Sequence, residues 1–318
     1  MNLSLPPVSV ILPLLNEEQN LQDCIASIRN QDYPGEIEII LALGPSKDKT
    51  NEIAKILATQ DNRIKLVENP SGQTAIGLNL AIEKSRFAII CRIDGHSEIE
   101  NTYIKTAVEI MQKQKAVNVG GLMYADSNKG LQRVIALAMR SKLGVGPSKF
   151  HTGGEAGQTD TVYLGTFSKP ELLAAGGFDE RYIRAQDWEL NYRLRKNGGV
   201  IWFDPKLVVT YRPRKSLIKL AKQYFQYGRW RRAVLRQHRN TVNYRYLAPP
   251  FTVLVSTLSI LLSFVNPIFI YLALIIFGGL IIGKKLFEKI LMPYILFIMH
   301  FSWGIGFLTS PKKLLKIN

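Results

Sequence analysis

The chain has 318 residues, of which 47% are hydrophobic, and its formal net charge at pH 7 is +16. This length allows one large domain with a smaller appendage. The only two cysteines, Cys24 and Cys91, lack a metal-type spacing. We therefore expect both to be small buried residues in a reducing compartment.

The excess of positive charge is concentrated in residues 211–246, which contain many Lys and Arg but no Asp or Glu. The chain becomes far more apolar after Leu247. A basic segment beside an apolar region is typical of the cytoplasmic face of a membrane. Binding to nucleic acid is the weaker alternative, because the sequence has no zinc-finger spacing and no RNA-binding signature.

In chain order, short apolar runs alternate with segments of helical spacing. The predicted strands are Val8–Leu12, Ile37–Leu43, Ile64–Val67 and Phe87–Ile93, and the predicted helices are Glu17–Asn30, Lys49–Thr59 and Thr74–Lys84. This alternation predicts an α/β fold with a mostly parallel, doubly wound sheet, in which residues 1–13 lead into a first strand and are not a signal peptide. Ligands bind such sheets at the carboxyl ends of the strands, where the polar clusters Asn16-Glu17, Gly44-Pro45-Ser46 and Asp94-Gly95-His96 fall.

The Gly-rich stretch 117–211 is expected to complete the same domain, which would cover residues 1–210. Residues 211–246 would form a basic segment in which 216–239 is an amphipathic helix at a membrane surface. Residues 247–318 would form the membrane region, where 250–283 is predicted to be a hairpin of two short spans that turns at Asn266-Pro267. Residues 291–308 could span or lie re-entrant. A spanning segment would leave Lys312, Lys313 and Lys316 outside, against the positive-inside tendency.

The segment Arg92-Ile93-Asp94-Gly95-His96 directly follows the fourth predicted strand. Side chains two residues apart point into one crevice there. Asp94 and His96 are therefore suited to hold a divalent cation, Mg²⁺ or Mn²⁺, that bridges the phosphates of a ligand. The alternative is a strand-end turn that Asp94 caps.

A candidate proton acceptor, Asp187, begins a predicted helix in Gln186-Asp187-Trp188-Glu189-Leu190. The glycine-rich loop 176–179 lies just upstream and would let a sugar approach, with Trp188 as a stacking platform. The alternative is that Asp187 only stabilises the helix terminus. We expect Glu189 to have a structural role.

A third motif is Gln226-Tyr227-Gly228-Arg229-Trp230. On a helix, Gln226 and Trp230 share one face and Arg229 lies beside them. These side chains are suited to hydrogen-bond hydroxyls, to stack on a sugar and to meet a diphosphate. An ordinary membrane-surface helix is the alternative, since Trp is common at interfaces.

These motifs occur in the order Pro-x-x-Asn-Glu, Asp-x-His, Gly-Gly-Phe-Asp, Gln-Asp-x-Glu-Leu and Gln-x-x-Arg-Trp, and apolar spans follow them. The ordered set resembles the family 2 glycosyltransferases with the A-type fold. Within that family the chain is similar to bacterial succinoglycan-type exopolysaccharide glycosyltransferases over residues 1–245.

The resemblance implies a membrane-anchored, inverting enzyme of the inner membrane, with its catalytic domain in the cytoplasm and no nucleic-acid partner. It would move a sugar from a nucleotide diphosphate sugar, a UDP-sugar first of all, to a lipid-linked or growing glycan. Asp94 and His96 would hold the metal and diphosphate, and Asp187 would be the base. The implied donor side comprises Pro13, Asn16, Glu17, Asp48, Arg92 and Asp94, and the implied acceptor side comprises Gly177, Phe178, Trp188, Gln226, Arg229 and Trp230.

The sequence departs from the family pattern at two positions. No acid that would read the nucleotide base follows the second strand, where the segment is Leu43-Gly44-Pro45-Ser46-Lys47-Asp48, and the metal motif has His96 as its second ligand. Three rival functions remain at this point: a processive polysaccharide synthase, a polyprenyl-phosphate sugar synthase, and a basic membrane-binding scaffold without catalysis.

Overall fold

The computed structural model describes residues 5–128, 130–264 and 266–315. The start of the expected N-terminal strand segment, residues 1–4, lies outside these ranges, as does Lys316 of the basic tail. Within them, nine strands form one sheet in the order β3-β2-β1-β4-β8-β6-β9-β5, and β7 pairs with β9.

The first half of the sheet consists of parallel strands that alternate with helices, as the apolar periodicity predicts. The strands are β1 (Val8–Leu14), β2 (Ile37–Leu43), β3 (Ile64–Glu68) and β4 (Ile89–Arg92), and the helices are α1 (Leu21–Arg29), α2 (Thr50–Gln60) and α3 (Thr74–Lys84). β1 is central and pairs in parallel with β2 and β4. Its apolar residues are buried because the sheet is covered on both faces.

The second half makes the sheet mixed, since strands from the Gly-rich stretch join it in antiparallel pairs. They are β5 (Glu98–Ile99), β6 (Asn118–Ala125), β7 (Gly157–Gln158), β8 (Tyr163–Ser168) and β9 (Ile201–Tyr211). β8 lies antiparallel to both β4 and β6, and β9 lies antiparallel to β5 and β7. The helices here are α4 (Tyr103–Gln114), α8 (Lys169–Ala174) and α9 (Gln186–Lys196).

The chain divides into two units, Met1–Met123 with Gly153–Tyr211 and Tyr124–Thr152 with Arg212–Asn318. The predicted domain end at residue 210 is next to this boundary. The segment Tyr124–Thr152, which we had expected in the catalytic domain, belongs instead to the unit of the C-terminal helices. That unit contains α5 (Gly130–Met139), α6 (Lys142–Val145), α7 (Lys149–Thr152), α10 (Leu217–Gln237), α11 (Tyr244–Leu261), α12 (Asn266–Ile282) and α13 (Leu286–Leu308).

Glycines bring the helices of the second unit into backbone contact. A Cβ on Gly228 of α10 would lie 2.0 Å from the carbonyl oxygen of Trp303, and one on Gly306 of α13 would lie 2.1 Å from that of Phe225. Only glycine lets two helix backbones approach this closely, because it has no side chain between them.

Among the described residues, α13 is the helix long and apolar enough to cross a membrane, and 44% of its apolar window is buried by protein. α12 has 17 residues and is shorter than that criterion. Two helices, α11 and α12, cover the segment predicted to be a hairpin of two short spans, but neither meets that criterion, and the turn precedes Asn266, which begins α12. The third apolar segment begins at Leu286, five residues earlier than the residue 291 expected from the sequence.

Candidate functional site

A buried arginine joins two carboxylates at the carboxyl end of β4. Arg92 is 3% exposed, and it donates from Nε and Nη2 to Oδ1 of Asp94 at 3.1 and 3.0 Å. Its Nη1 donates to Oδ1 of Asp187, from the first turn of α9. Burial alone would lower the pKa of Arg92, but Asp187 and Asp94 raise it above its ordinary value. The arginine therefore stays charged and holds both acids at one place.

Asp187 is the predicted proton acceptor, and its surroundings favour that chemistry. Desolvation raises the pKa of its carboxyl above the ordinary aspartate value. Arg92 opposes this shift, and Asp94 adds to it. The side chain is 31% exposed, so a ligand can reach it. Its helix begins after Ala185, which has φ +64°, and no side-chain hydrogen bond caps that terminus. Asp187 is thus not the cap of α9.

The predicted donor-side residues after β1 meet the turn after β2. Asn16, with φ +57°, donates its N–H to Oγ of Ser46 at 3.1 Å and accepts from the N–H of Lys47 at 2.8 Å. Pro13 lies just before it in β1 and is partly buried. These bonds tie the two strand ends together and shape one polar rim, as the sequence pattern predicts.

Asp48 contributes to this turn mainly through local hydrogen bonds. It accepts from the N–H and the hydroxyl of Thr50 at 3.0 and 2.5 Å, and from the N–H of Glu18 at 3.2 Å. Desolvation raises the pKa of Asp48, but the hydrogen bonds from Thr50 and Glu18 outweigh it and lower the pKa below the ordinary value. The carboxylate is charged, and its bonds stabilise the start of α2.

His96 lies beside Glu17. Its Nδ1 is 2.9 Å from Oε1 of Glu17, and its ring meets that of Tyr211 edge-on, with centroids 6.4 Å apart. A Cβ on Gly95 would lie 3.0 Å from Cγ of Glu17, so the glycine of this motif lets the glutamate approach. Within the described part of the chain, no three acidic, His or Cys side chains converge to hold a metal by themselves.

The glycine-rich loop before α9 is fixed by a residue that the sequence did not reveal, Asn79 of α3. Its Oδ1 accepts from the N–H of Phe178 at 2.9 Å, and its Nδ2 donates to the Phe178 carbonyl at 2.8 Å. Gly177 has φ +66°, and a Cβ there would lie 2.8 Å from Oδ1 of Asn79. The Phe178 ring is 1% exposed, and the guanidinium carbon of Arg92 is 5.9 Å from its centroid. Phe178 therefore supports the arginine from inside.

Glu189 has the structural role that the sequence suggested, and the structure supplies its partner. It is fully buried and binds Arg193, one turn later on α9, through contacts of 2.6 to 2.9 Å. Arg193 in turn donates to the carbonyl of Gly177 at 2.8 Å and to that of Ala175. This clamp connects α9 to the glycine loop. A basic residue one turn after an acid was the available sequence signal.

The remaining predicted acceptor residues differ in exposure. Trp188 is partly buried beside Asp187 in the first unit. Gln226 and Arg229 are partly buried on α10 in the second unit, where the guanidinium carbon of Arg229 is 5.6 Å from the ring centroid of Phe225. Trp230 is only 3% exposed. Its ring packs within protein and leaves little open surface on which a sugar could stack.

Comparison with known proteins connects this geometry to a family. The family described as Glycosyl transferase family 2 matches residues 9–163. The chain is 30% identical to the succinoglycan biosynthesis protein ExoA of Rhizobium meliloti (strain 1021) over 307 residues, 94% of this chain and 93% of that protein. It is 29% identical, over 98% of both chains, to the dolichyl N-acetyl-alpha-D-glucosaminyl phosphate 3-beta-D-2,3-diacetamido-2,3-dideoxy-beta-D-glucuronosyltransferase of Methanococcus voltae.

Solved structures show the same fold at low sequence identity. The mannosyltransferase PcManGT from Pyrobaculum calidifontis, in complex with GDP-Man and Mn²⁺, has a TM-score of 0.67 at 16% identity and covers 94% of this chain and 87% of its own. TarS 1–349 of S. aureus has a TM-score of 0.55 at 14% identity, with coverages of 95% and 90%. These likenesses confirm the predicted A-type α/β fold.

Proposed function

The chain belongs to glycosyltransferase family 2 and is a transferase of exopolysaccharide or glycan synthesis, and from this premise we propose the rest of its function. We propose that it is a membrane-anchored, inverting enzyme that moves a sugar from a nucleotide diphosphate sugar to a lipid-linked glycan. The observation that carries the proposal is Arg92, which holds Asp94 and Asp187 together at the end of β4.

The donor would bind at the rim formed by the ends of β1 and β2. Asn16 and its partners in the turn after β2 would line the nucleoside pocket with Pro13 and Glu17, and Asp48 would keep that turn in shape. A UDP-sugar is our first candidate. The solved relatives include one with GDP-Man and one with UDP, so the test below offers both nucleotides.

Asp94 and His96 would hold a divalent cation, Mg²⁺ or Mn²⁺, on the diphosphate. Two protein ligands fit such a site, because substrate phosphates commonly supply the other oxygens around a hard cation. An imidazole ligand suits Mn²⁺, and PcManGT was solved with that ion. When bound, the cation would neutralise the charge that develops on the leaving diphosphate.

Asp187 would accept the proton of the attacking hydroxyl. Its raised pKa makes it a stronger base than an ordinary aspartate, and its partial exposure leaves it accessible. Attack by that hydroxyl in a single displacement would invert the anomeric centre. Gly177 and Trp188 would bound the acceptor on the same unit, and Phe178 would act indirectly by supporting Arg92.

The acceptor would be a glycan on a lipid phosphate, and the membrane would be the bacterial inner membrane, with the catalytic unit in the cytoplasm. The apolar length of α13 supports the membrane, and the name of the Methanococcus voltae relative, whose substrate is a dolichyl-linked sugar phosphate, supports the lipid acceptor. The cytoplasmic orientation rests on the basic segment 211–246. The predicted acceptor-side residues on α10 remain Gln226, Arg229 and Trp230. Trp230 would act there through its packing, since its ring is buried.

The test uses the full-length protein in its native lipids, offered a panel of labelled UDP- and GDP-sugars together with a lipid extract that contains the acceptor. We expect label in the lipid phase, one added sugar per acceptor, and an anomeric configuration opposite to that of the donor. The Asp187→Asn protein is the matched control. A long polymeric product would support a processive synthase instead, and retention of configuration would contradict the single displacement.

A further inference from the structure

The second unit carries more than the whole positive charge excess of the chain, because it has almost no acidic residue to balance its lysines and arginines. In the sequence of its two segments, residues 124–152 and 212–318, the only acidic residues are Asp126 and Glu288. Glu288 is fully buried and is engaged by Arg133, whose Nε lies 2.5 Å from Oε1. A folded unit of this charge is stabilised when an anion joins it.

Buried polar atoms that lack a hydrogen-bond partner among the described residues lie where the segment 146–152 meets the start of α11. The hydroxyl of Ser148, a residue only 3% exposed, and Nδ1 of His151 are both buried and have no hydrogen-bond partner among the described residues. Buried polar atoms without a partner are costly and call for an explanation, such as a ligand. Both atoms can donate to phosphate oxygens, Nδ1 in the tautomer that carries its proton there.

Arg245 completes this cluster with a guanidinium. Its Nη1 donates to the carbonyl of Pro147 at 3.3 Å, and its Cβ would lie 3.3 Å from a Cβ on Gly146, which has φ +72°. The arginine therefore runs along the loop that ends in Ser148. Desolvation and the charge of Arg245 lower the pKa of His151 to about 3, so the imidazole is neutral beside a cation. Two hydrogen-bond donors and a cation form the kind of group that binds phosphate.

An exposed apolar stripe begins at Leu247, at the same end of α11 as Arg245. On α11, Leu247, Phe251, Leu254, Leu258 and Leu261 are 40 to 73% exposed. Their spacing of three and four residues puts them on one face of the helix, over a length of about 21 Å. An anionic head at Arg245 and an apolar chain along this face would together describe a lipid phosphate.

We propose that Ser148, His151 and Arg245 bind the phosphate of a polyprenyl-type lipid, the carrier of the acceptor glycan, and that its chain lies along the exposed face of α11. The inference rests on the proposed function, since it identifies the group by which a lipid-linked acceptor is held. Ordinary anionic phospholipid and free phosphate share part of this chemistry, and the experiment separates them.

The first measurement is direct binding to the full-length protein in phosphatidylcholine nanodiscs. The probes are a long-chain polyprenyl phosphate and the matching polyprenol, which lacks the phosphate. We expect the phosphate to bind at least about tenfold more tightly, and Arg245→Gln to remove about that factor, as expected for a charge-assisted contact. Lys142→Gln, which removes an exposed cation nearby, should bind within about twofold of the native protein. Equal binding of both probes, or no loss in Arg245→Gln, would overturn the proposal.

The second measurement reads the site itself. The chain has four histidines, so ring-labelled protein gives few NMR signals, and His151→Gln assigns the signal of His151. Polyprenyl phosphate should shift that signal and raise the pH at which the ring protonates, because the anion stabilises the imidazolium. Excess phosphatidylglycerol or inorganic phosphate should not reproduce the shift. If either does so at similar concentration, the site is not selective for the carrier lipid and the proposal fails.

Folding and function are controlled separately. Melting temperatures identify variants that misfold, and if Arg245→Gln is among them, Arg245→Lys and Ser148→Ala decide the question by a partial loss of affinity. Neither assay requires sugar transfer. Lipid-phosphate binding without any transfer would therefore count against the proposed function alone. Transfer to lipid acceptors without binding at this cluster would count against this inference alone.

Discussion

Replacing Asp187 by asparagine separates its two candidate roles. Asparagine keeps the size of the side chain and can still accept from Arg92, but it cannot take a proton. The guanidinium would retain its contacts of 3.0 and 3.1 Å to Asp94, so the charge at the end of β4 stays paired. We therefore expect the Asp187→Asn protein to fold.

The magnitudes of the two roles differ. A positioned base contributes about 10² to 10⁴ in rate, so turnover should fall at least about a hundredfold, or roughly 2.7 kcal/mol in the activation barrier. A carboxylate that acts only on the dipole of α9 would contribute about 0.3 to 1 kcal/mol to stability and nothing to turnover. The free terminus after Ala185 has no side-chain cap to lose.

The assay is single-turnover transfer with saturating donor, in parallel with donor binding by calorimetry. In the native protein, turnover should decline as the pH falls through the raised pKa of Asp187, because only the deprotonated carboxylate is a base. This acid limb should lie above the ordinary aspartate pKa and should disappear in the variant. Asp204→Asn, in a local turn of β9, is the matched control. Near-normal turnover of Asp187→Asn, with its acid limb intact, would refute the assignment.

Three further predictions concern the clamp, the metal and the helix packing. Glu189→Gln leaves the partly buried Arg193 without its carboxylate partner and should lower the free energy of unfolding by about 3 kcal/mol, read as a fall in melting temperature that the exposed Glu109→Gln does not show. Asp94→Ala should weaken donor binding at least about tenfold in calorimetry, and a chelator should do the same to the native protein, since each removes the cation that would neutralise the diphosphate; unchanged affinity in both cases would exclude the metal site. Gly228→Val should push α10 from α13 and lower the yield of folded protein, whereas Lys222→Ala on the exposed side of α10 should not.

The parallel half of the fold was predictable because its signals are local. β2 and α3 have the predicted bounds, since runs of β-branched residues and helical spacing are read within about ten residues. The antiparallel half was not predictable in this way. β6 and β8 come from a Gly-rich stretch and are specified by pairing with distant strands, such as β4 with β8.

The same holds for the site: the sequence indicates which residue types it contains, but it does not show which side chains contact one another. The sequence predicted roles for Asp94 and Asp187 in the site, but it offered no means to see that Arg92 binds both, because 95 positions separate Arg92 from Asp187. The pattern predicted that the Trp230 ring is suited to stack on a sugar, but it did not predict that the ring is buried. Its burial follows from the close crossing of α10 and α13, which a single helix pattern does not reveal.

The first turn of α9 connects the proposed base, Asp187, to the glycine-rich loop that precedes the helix. Asp187 and Glu189 are two residues apart, so they point to different sides of the helix, one toward the crevice and one into the core. Glu189 binds Arg193 and Arg193 binds the Gly177 carbonyl, so these contacts tie the glycine loop to the helix that carries the proposed base. An acceptor bound against the loop, as we propose, would therefore be aligned with Asp187 by the same contacts that stabilise the fold, which would give a partly exposed carboxylate the precise placement that proton transfer requires.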